Sequence, residues 1–414
     1  ILLFALCFLI GQSDSYAQQP GTFDGDFSAD GIGYYDVPDY EGGCTAKALA
    51  IQPDGKIIVA GGAAQYAGQL NTNVALMCLN PDGGLDVNFG NQTVWNAQNN
   101  YFATIGITIE DAQVVSTTAD AVVVLPNGSI VVGTTYYTGE GFALQGFYSS
   151  GWLDEANFGN DGTVITNFGS YARLYALTTQ SDGKIIAAGE ASDGGSNTFA
   201  ISRYYGNGGI DYNFSFDGKV TTNFGSNGAS ARAVVVQPDG KIVAAGSYSV
   251  QCALARYNSD GTLDNSFGSN GKVLTAIGDE SFINAIVIQH NGKIVVAGGS
   301  ISSGFQGNYT LVRYNTNGTL DASFGVGGIA TAPDGFFTGI AIQPDGKIVA
   351  TGSRLTSQTL DVVRFNANGT RDNTFGVQGF AYPVYGAEGR AIGIQPDGKI
   401  VAAGISIGGT PNWK

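Results

Sequence analysis

Residues able to do chemistry are spread through this chain at regular spacing, not gathered in one place. Arg203, Arg256, Arg313 and Arg364 recur once per stretch of fifty-odd residues, each followed by an aspartate: Asp211, Asp264, Asp321 and Asp372. A ring of arginines would suit sulfated or carboxylated glycans. The duller account is a salt bridge to the aspartate of the same repeat. Cys78 and Gly146 stand at the arginine position in two further copies, yet Asp86 and Asp154 remain. The aspartate therefore has a job that does not need arginine, such as capping its own turn.

Other reactive patterns are thinner. Lys56, Lys184, Lys241, Lys293, Lys347 and Lys399 each follow an Asx-Gly pair. Gly240-Lys241 lacks the upstream glycine and following Ser/Thr of a phosphate loop. These lysines read as solvated strand-edge positions that discourage edge pairing. Asn258–Asp264, "NSDGTLD", spaces oxygen ligands like a calcium loop, but the twelfth position is Ser269 where an EF-hand needs Glu. No cofactor is expected, with weak calcium binding at that loop left open. The only histidine, His290, occupies a turn position, so no Ser-His-Asp set or histidine metal site is expected. A carboxylate pair would allow glycoside chemistry, but there are only seven Glu, and most Asp are explained by turns. Asn-x-Ser/Thr sites fall mostly in turns and need no glycan explanation.

One stretch breaks the pattern. "NQTVWNAQNNYFATIGITIEDAQVV" adds roughly 18 residues between the first two repeats, on the ~50-residue period of such arrays. Trp95, Tyr101 and Phe102 lie there among amides. They are the candidate ligand-binding loop, since aromatics beside Asn and Gln stack on and hydrogen-bond a sugar. A long hairpin at a blade edge is the structural alternative.

The elements that must hold these residues follow from composition and repetition. The chain has 414 residues, is 43% hydrophobic and 13% charged, and contains 63 Gly. Glycine and aromatics with few charges indicate many short strands and tight turns. The net charge of −15 makes nucleic acid and anionic membranes poor partners. Residues 1–17, opening "ILLFALCFLI" and ending Ser15-Tyr16-Ala17, read as a secretory signal peptide whose own start is missing. No membrane span is expected in the mature chain, 18–414. Cys44, Cys78 and Cys252 follow no spacing pattern. They read as buried thiols, with a Cys44–Cys78 pair left open.

Seven turns align: Asp54-Gly55, Asn127-Gly128, Asp182-Gly183, Asp239-Gly240, Asn291-Gly292, Asp345-Gly346 and Asp397-Gly398. Their spacing, 73, 55, 57, 52, 54 and 52 residues, marks a propeller or solenoid. Each copy reads as four strands: "ARAVVVQ", the turn "PDG", "KIVAAGSY", "CALARYN", the connector "SDGTLDNSFGSNG", and "KVLTAI". Pro, Asp and Gly suit a tight hairpin. Ala244, Ala245 and Gly246 are expected to let blades approach closely. In the connectors an Asp is followed by Phe and then Gly, as in Asp24/Phe27/Gly31 and Asp264/Phe267/Gly271. Asp86, Asp154, Asp211, Asp264, Asp321 and Asp372 are the structural connector residues.

The chain starts on a connector and fourth strand and ends on the first two strands of a repeat. This predicts an all-β, seven-bladed β-propeller with four-stranded blades, closed by pairing of N-terminal and C-terminal strands, Ile32–Val37 against Lys399–Ile405. The third strand of that last blade is missing, so the blade reads as truncated at the C-terminus.

"QPDGKIVAAG…CALARYNSDGTLDNSFGSNGKV" resembles the delta-60 repeat of secreted bacterial proteins over residues 21–404. The resemblance implies a β-propeller, often with a C-terminal sorting domain, and none is seen here. The expected role is a non-catalytic exported or cell-surface binding and adhesion module, its ligand a glycan or a surface protein. A polysaccharide-active lyase or hydrolase working in the central channel, and a passive spacer of a larger surface protein, are the alternatives.

Overall fold

The computed structural model describes residues 7–12, 24, 26–28, 32–35, 43–64, 73–91, 93–96, 101–104, 106–110, 118–136, 139–302, 306–381 and 384–406. Every regular element among them is a strand. No helix is long and apolar enough to cross a membrane.

The fourth blade shows how sequence becomes structure. Ala229–Val236 and Ile242–Tyr248 form a hairpin, Gln251–Tyr257 adds to it, and Lys272–Thr275 completes the sheet. The hairpin closes on Gln237 and Lys241, with Gly240 at φ 83°. Pro238 and Asp239 fill a type I turn, and the glycine takes the left-handed position that follows it. Both faces of each blade are buried, and alternation sorts the side chains between neighbours. Ala244 packs toward the third blade and Ala245 toward the fifth.

The expected closure requires correction. Six blades, not seven, are each folded from one continuous stretch of chain: 43–110, 121–167, 171–222, 229–275, 280–333 and 335–385. The seam is a composite sheet ordered Ala387–Ile394, Ile400–Ser406, Cys7–Gln12, Ile32–Tyr35. Ile32–Tyr35 therefore does not pair with the C-terminal strand. Cys7–Gln12, inside the stretch read as an export signal, lies between them and pairs with both. A strand hydrogen-bonds only to a neighbour about 4.8 Å away. Cys7–Gln12 takes that place beside Ile400–Ser406 in the seam sheet. Cys44, Cys78 and Cys252 are buried thiols, none of them in a disulfide. Cys44 and Cys78 lie in different core clusters, so the pairing left open is not formed.

Gly246 has a different role from the one expected. A Cβ there would lie 1.9 Å from the Ser230 carbonyl oxygen of its own blade. That carbonyl precedes a β-bulge in the first strand, where Arg232 is the extra residue. The same contact recurs at Gly61, Gly189, Gly298, Gly352 and Gly404, opposite bulges at Lys47, Tyr175, Asn284, Thr338 and Arg390. The second blade has Thr134 six residues after its turn glycine, where the others have glycine. Its first strand, Ala121–Val124, is short and unbulged. The bulge thus needs glycine opposite it. All six bulge residues border one central channel, which makes each first strand the innermost of its blade.

Substituting Gly246→Ala should destabilise the protein by about 1–3 kcal/mol, because backbone must move. Gly195→Ala, where nothing lies within 4 Å, should change stability by no more than about 0.5 kcal/mol. Urea unfolding midpoints of the two variants check this contrast.

Candidate functional site

The repeated charged residues form a clasp inside each blade. Asp264 Oδ2 accepts hydrogen bonds from Lys241 Nζ at 2.8 Å and Arg256 Nε at 2.8 Å. Its Oδ1 accepts from the Ser266 amide at 3.0 Å and hydroxyl at 2.7 Å. The Arg256 guanidinium lies 4.5 Å from the Phe267 ring centroid and also donates to the Thr316 carbonyl of the next blade. Arg203, Arg313 and Arg364 repeat the aspartate and phenylalanine contacts. All four arginines are buried. Thus the arginine ring faces its own connectors and offers no surface to a glycan.

The lysines do more than sit solvated at an edge. Lys56, Lys184, Lys241, Lys293, Lys347 and Lys399 reach Asp86, Asp211, Asp264, Asp321, Asp372 and Asp24, at 2.6 to 3.5 Å. Sequence reading missed this partner because hairpin and connector meet only in the fold. The second blade lacks both cations, having Ser129 and Gly146. A Cβ at Gly146 would meet Phe158 at 2.2 Å, so the ring occupies the space an arginine stem would need. Asp154 there accepts from the Asn157 amide at 3.0 Å. Both oxygens of Asp264 are committed within the clasp. Asp260 in the calcium-like loop accepts from the Thr262 amide and hydroxyl. His290 is exposed in its turn.

Electrostatics in the clasp work against burial. Desolvation raises the aspartate pKa. Hydrogen bonds from Lys241 and Ser266, with the charge of Arg256, outweigh it and hold Asp264 well below the usual carboxylate range. Burial is likewise outweighed at Asp372, by Thr374, Lys347 and Arg364, and its pKa falls to about 2.

The copies differ most in their connectors. The inserted stretch lies within the connector of the first blade, not between two repeats. Gly106 accepts from the Cys78 amide as Gly271 accepts from the Arg256 amide, so it takes the place of the connector glycine that the first repeat had seemed to lose. Between Gly90 and Gly106, Thr93–Asn96 and Tyr101–Thr104 form a separate hairpin that pairs Trp95 with Phe102 and Asn96 with Tyr101. The side chains of Trp95, Tyr101 and Phe102 lie outside the described ones.

The next two connectors carry aromatics that sequence reading passed over. Tyr148 and Tyr205 stand where later blades have Asn258, Asn315 and Asn366. Trp152 replaces Thr262, Tyr212 replaces Asn265, and Phe216 replaces Ser269. Trp152 is 53% exposed, Tyr212 68% and Phe216 95%. Aligning the copies position by position was the signal that would have found them. The three connectors are joined in sequence around the ring: Gly90 N donates to Ser150 O at 2.8 Å and Gly159 N to Asn207 O at 2.9 Å. Phe216 also takes φ 66°, a left-handed conformation costing a bulky residue about 1–3 kcal/mol. The hydroxyl of Tyr205 donates to Asp211 Oδ1 at 3.0 Å, which fixes its ring.

Inner strands around a channel, four-stranded sheets and connector clasps define a β-propeller of unknown function. Within it, residues 52–89, 180–214, 237–267, 289–324 and 343–375 match the family described as a domain of unknown function (DUF5122) beta-propeller. The match supports a propeller family and does not carry the delta-60 name. No curated protein matches the sequence. Similar solved structures include a protein from Lactobacillus plantarum, at 12% identity and a TM-score of 0.49, covering 96% of this chain and 99% of that one. A catalytically inactive virginiamycin B lyase from Staphylococcus aureus with quinupristin has 10% identity and a TM-score of 0.47, covering 89% and 96%. Sqt1 from Chaetomium thermophilum, bound to the N-terminus of ribosomal protein L10, has 11% identity and a TM-score of 0.46, covering 88% and 96%. Likenesses this distant say nothing of activity.

The clasp predicts acid lability. A depressed carboxylate contributes stability that is whole above the free value of 3.8 and is lost as pH falls toward the folded value, about 2 for Asp372. Urea midpoints should therefore drop between those limits. Asp264→Asn leaves Arg256 buried and unpaired. It should cost about 3 kcal/mol at neutral pH and flatten the acid slope.

Proposed function

We propose that this chain is a non-catalytic binding module, exported or held at the cell surface, that recognises a glycan on the connector face of its first three blades. One observation carries the reading: exposed aromatics occupy consecutive connectors at positions where the later blades have Asn, Thr, Ser, Ala or Val. Tyr148, Trp152, Tyr205, Tyr212 and Phe216 offer flat apolar faces, and sugars present C–H-rich faces that pack against such rings. The strained backbone at Phe216 holds its ring in water, where burial cannot be the reason for it. The hairpin that carries Trp95, Tyr101 and Phe102 branches from the adjoining connector, that of the first blade.

The rival reading, a polysaccharide-active enzyme in the central channel, rests on Tyr175 between two arginines. Burial raises the Tyr175 phenol, and its hydroxyl donates to Glu190 Oε1 at 2.9 Å. A phenol held protonated in this way is a poor general base.

Affinity electrophoresis against a panel of neutral and acidic polysaccharides tests the proposal. Each stacked ring contributes about 0.5–1.5 kcal/mol, so Trp152→Ala, Tyr212→Ala and Phe216→Ala together should weaken binding roughly tenfold or more. Melting temperature should stay unchanged, since the three rings are exposed. Wild-type affinity in the triple variant, or no retardation by any glycan, would overturn the reading.

A further inference from the structure

The six bulges each turn one side chain toward the axis, and the resulting channel encloses about 330 Å³. That volume suits a small molecule. Its walls invert the charge of the protein. Three of the nine arginines line it, together with Lys47, although the chain as a whole carries −15.

These cations are not equivalent. Lys47 Nζ is bonded to Asp120 Oδ1 at 2.8 Å and Thr118 Oγ1 at 2.6 Å. Arg390 pairs with Glu388. Arg173 and Arg232 have no carboxylate within ion-pair distance among the described residues, and both are exposed to the channel. Their guanidinium carbons lie 5.2 and 4.3 Å from the centroid of the same ring, that of Tyr175. Tyr175 is fixed in turn through Glu190, which also accepts from the Tyr171 hydroxyl at 2.9 Å. Two like charges are thus held against one rigid ring in a confined space. Stacking positions the guanidiniums and leaves their N–H groups free to donate.

We propose that the axial channel is a binding seat for a small dianion, a dicarboxylate or a phosphate, held by Arg173 and Arg232 astride Tyr175. Neither guanidinium is spent on a direct ion pair, although Glu190 is the cross-strand partner of Arg173, and the guanidinium fork matches the paired oxygens of carboxylate and phosphate alike. Low-dielectric walls focus the local field, so the seat works against the acidic exterior. The seat is separate from the aromatic connector face, and either can fail alone.

Isothermal titration of the intact protein at low ionic strength, with succinate and inorganic phosphate as probes and acetate and chloride as monovalent controls, tests this. One saturable site for a dianion is expected, and whether succinate or phosphate binds tighter identifies the chemical source. Arg173→Gln and Arg232→Gln should each weaken binding at least tenfold, and the double variant should abolish it. Lys47→Gln should have a smaller effect, because its ammonium is already paired. Arg232→Lys, which keeps the charge and loses the fork, should bind severalfold more weakly than wild type, and it serves if the double variant fails to fold. The Trp152, Tyr212 and Phe216 triple variant should bind the dianion as wild type does. No saturable dianion binding, equal binding of the monovalent controls, or undiminished binding by folded arginine variants would overturn the proposal.

Discussion

The structure depends on a contact that leaves no room for a side chain. In six sheets a glycine of the second strand faces a carbonyl of the first at a distance that would place a Cβ 1.6 to 2.1 Å from the oxygen. The close approach lets the first strand bulge, and the bulge aims one residue per blade at the axis. Where Thr134 replaces the glycine, the first strand runs without a bulge. The glycine is therefore held to one type by sterics, while the residue it frees is held to none. Lysine, tyrosine, arginine, asparagine, threonine and arginine follow one another around the channel. A strict repeat and a variable site are two results of one constraint.

The connector clasp does the complementary work at the blade face. Aspartate joins a lysine from the hairpin, an arginine from the third strand and the amides of its own turn, and the arginine continues to the next blade. Buried ion pairs add little net stability once desolvation is counted, but they penalise any register that leaves a charge unpaired. The same device operates at the seam. Lys399 reaches Asp24 at 2.7 Å, Gln395 Nε2 donates to the Pro81 carbonyl at 3.1 Å, and Ser28 N donates to the Asp82 carbonyl at 3.0 Å. N-terminal and C-terminal repeats are therefore joined by side-chain and backbone contacts of the kind that join other neighbours.

Much of this was legible in the sequence, and the limits have physical causes. The Asx-Gly turns and connector aspartates could be read because local backbone geometry demands those residues wherever they occur. The propeller followed from period and strand count. The third strand of the seam could not be read, since Cys7–Gln12 carries no repeat signature. The lysine partners were hidden because hairpin and connector are over twenty residues apart. Gly246 was noticed for its small size but assigned to a blade interface, because a bulge leaves no mark in hydrophobic periodicity. Tyr148, Trp152 and Phe216 were readable in principle. They break a consensus at fixed positions, but the insertion carrying Trp95, Tyr101 and Phe102 is the longer departure and masks them.

The repeat is a scaffold, and the proposed recognition falls on the connectors that depart from it. Hydrogen–deuterium exchange with and without a bound polysaccharide tests this most directly. Protection is predicted in residues 80–106, 148–153 and 205–217, with the connectors at 258–271, 315–328 and 366–379 unchanged. Equal protection around all the connectors, or protection confined to the later blades, would contradict it.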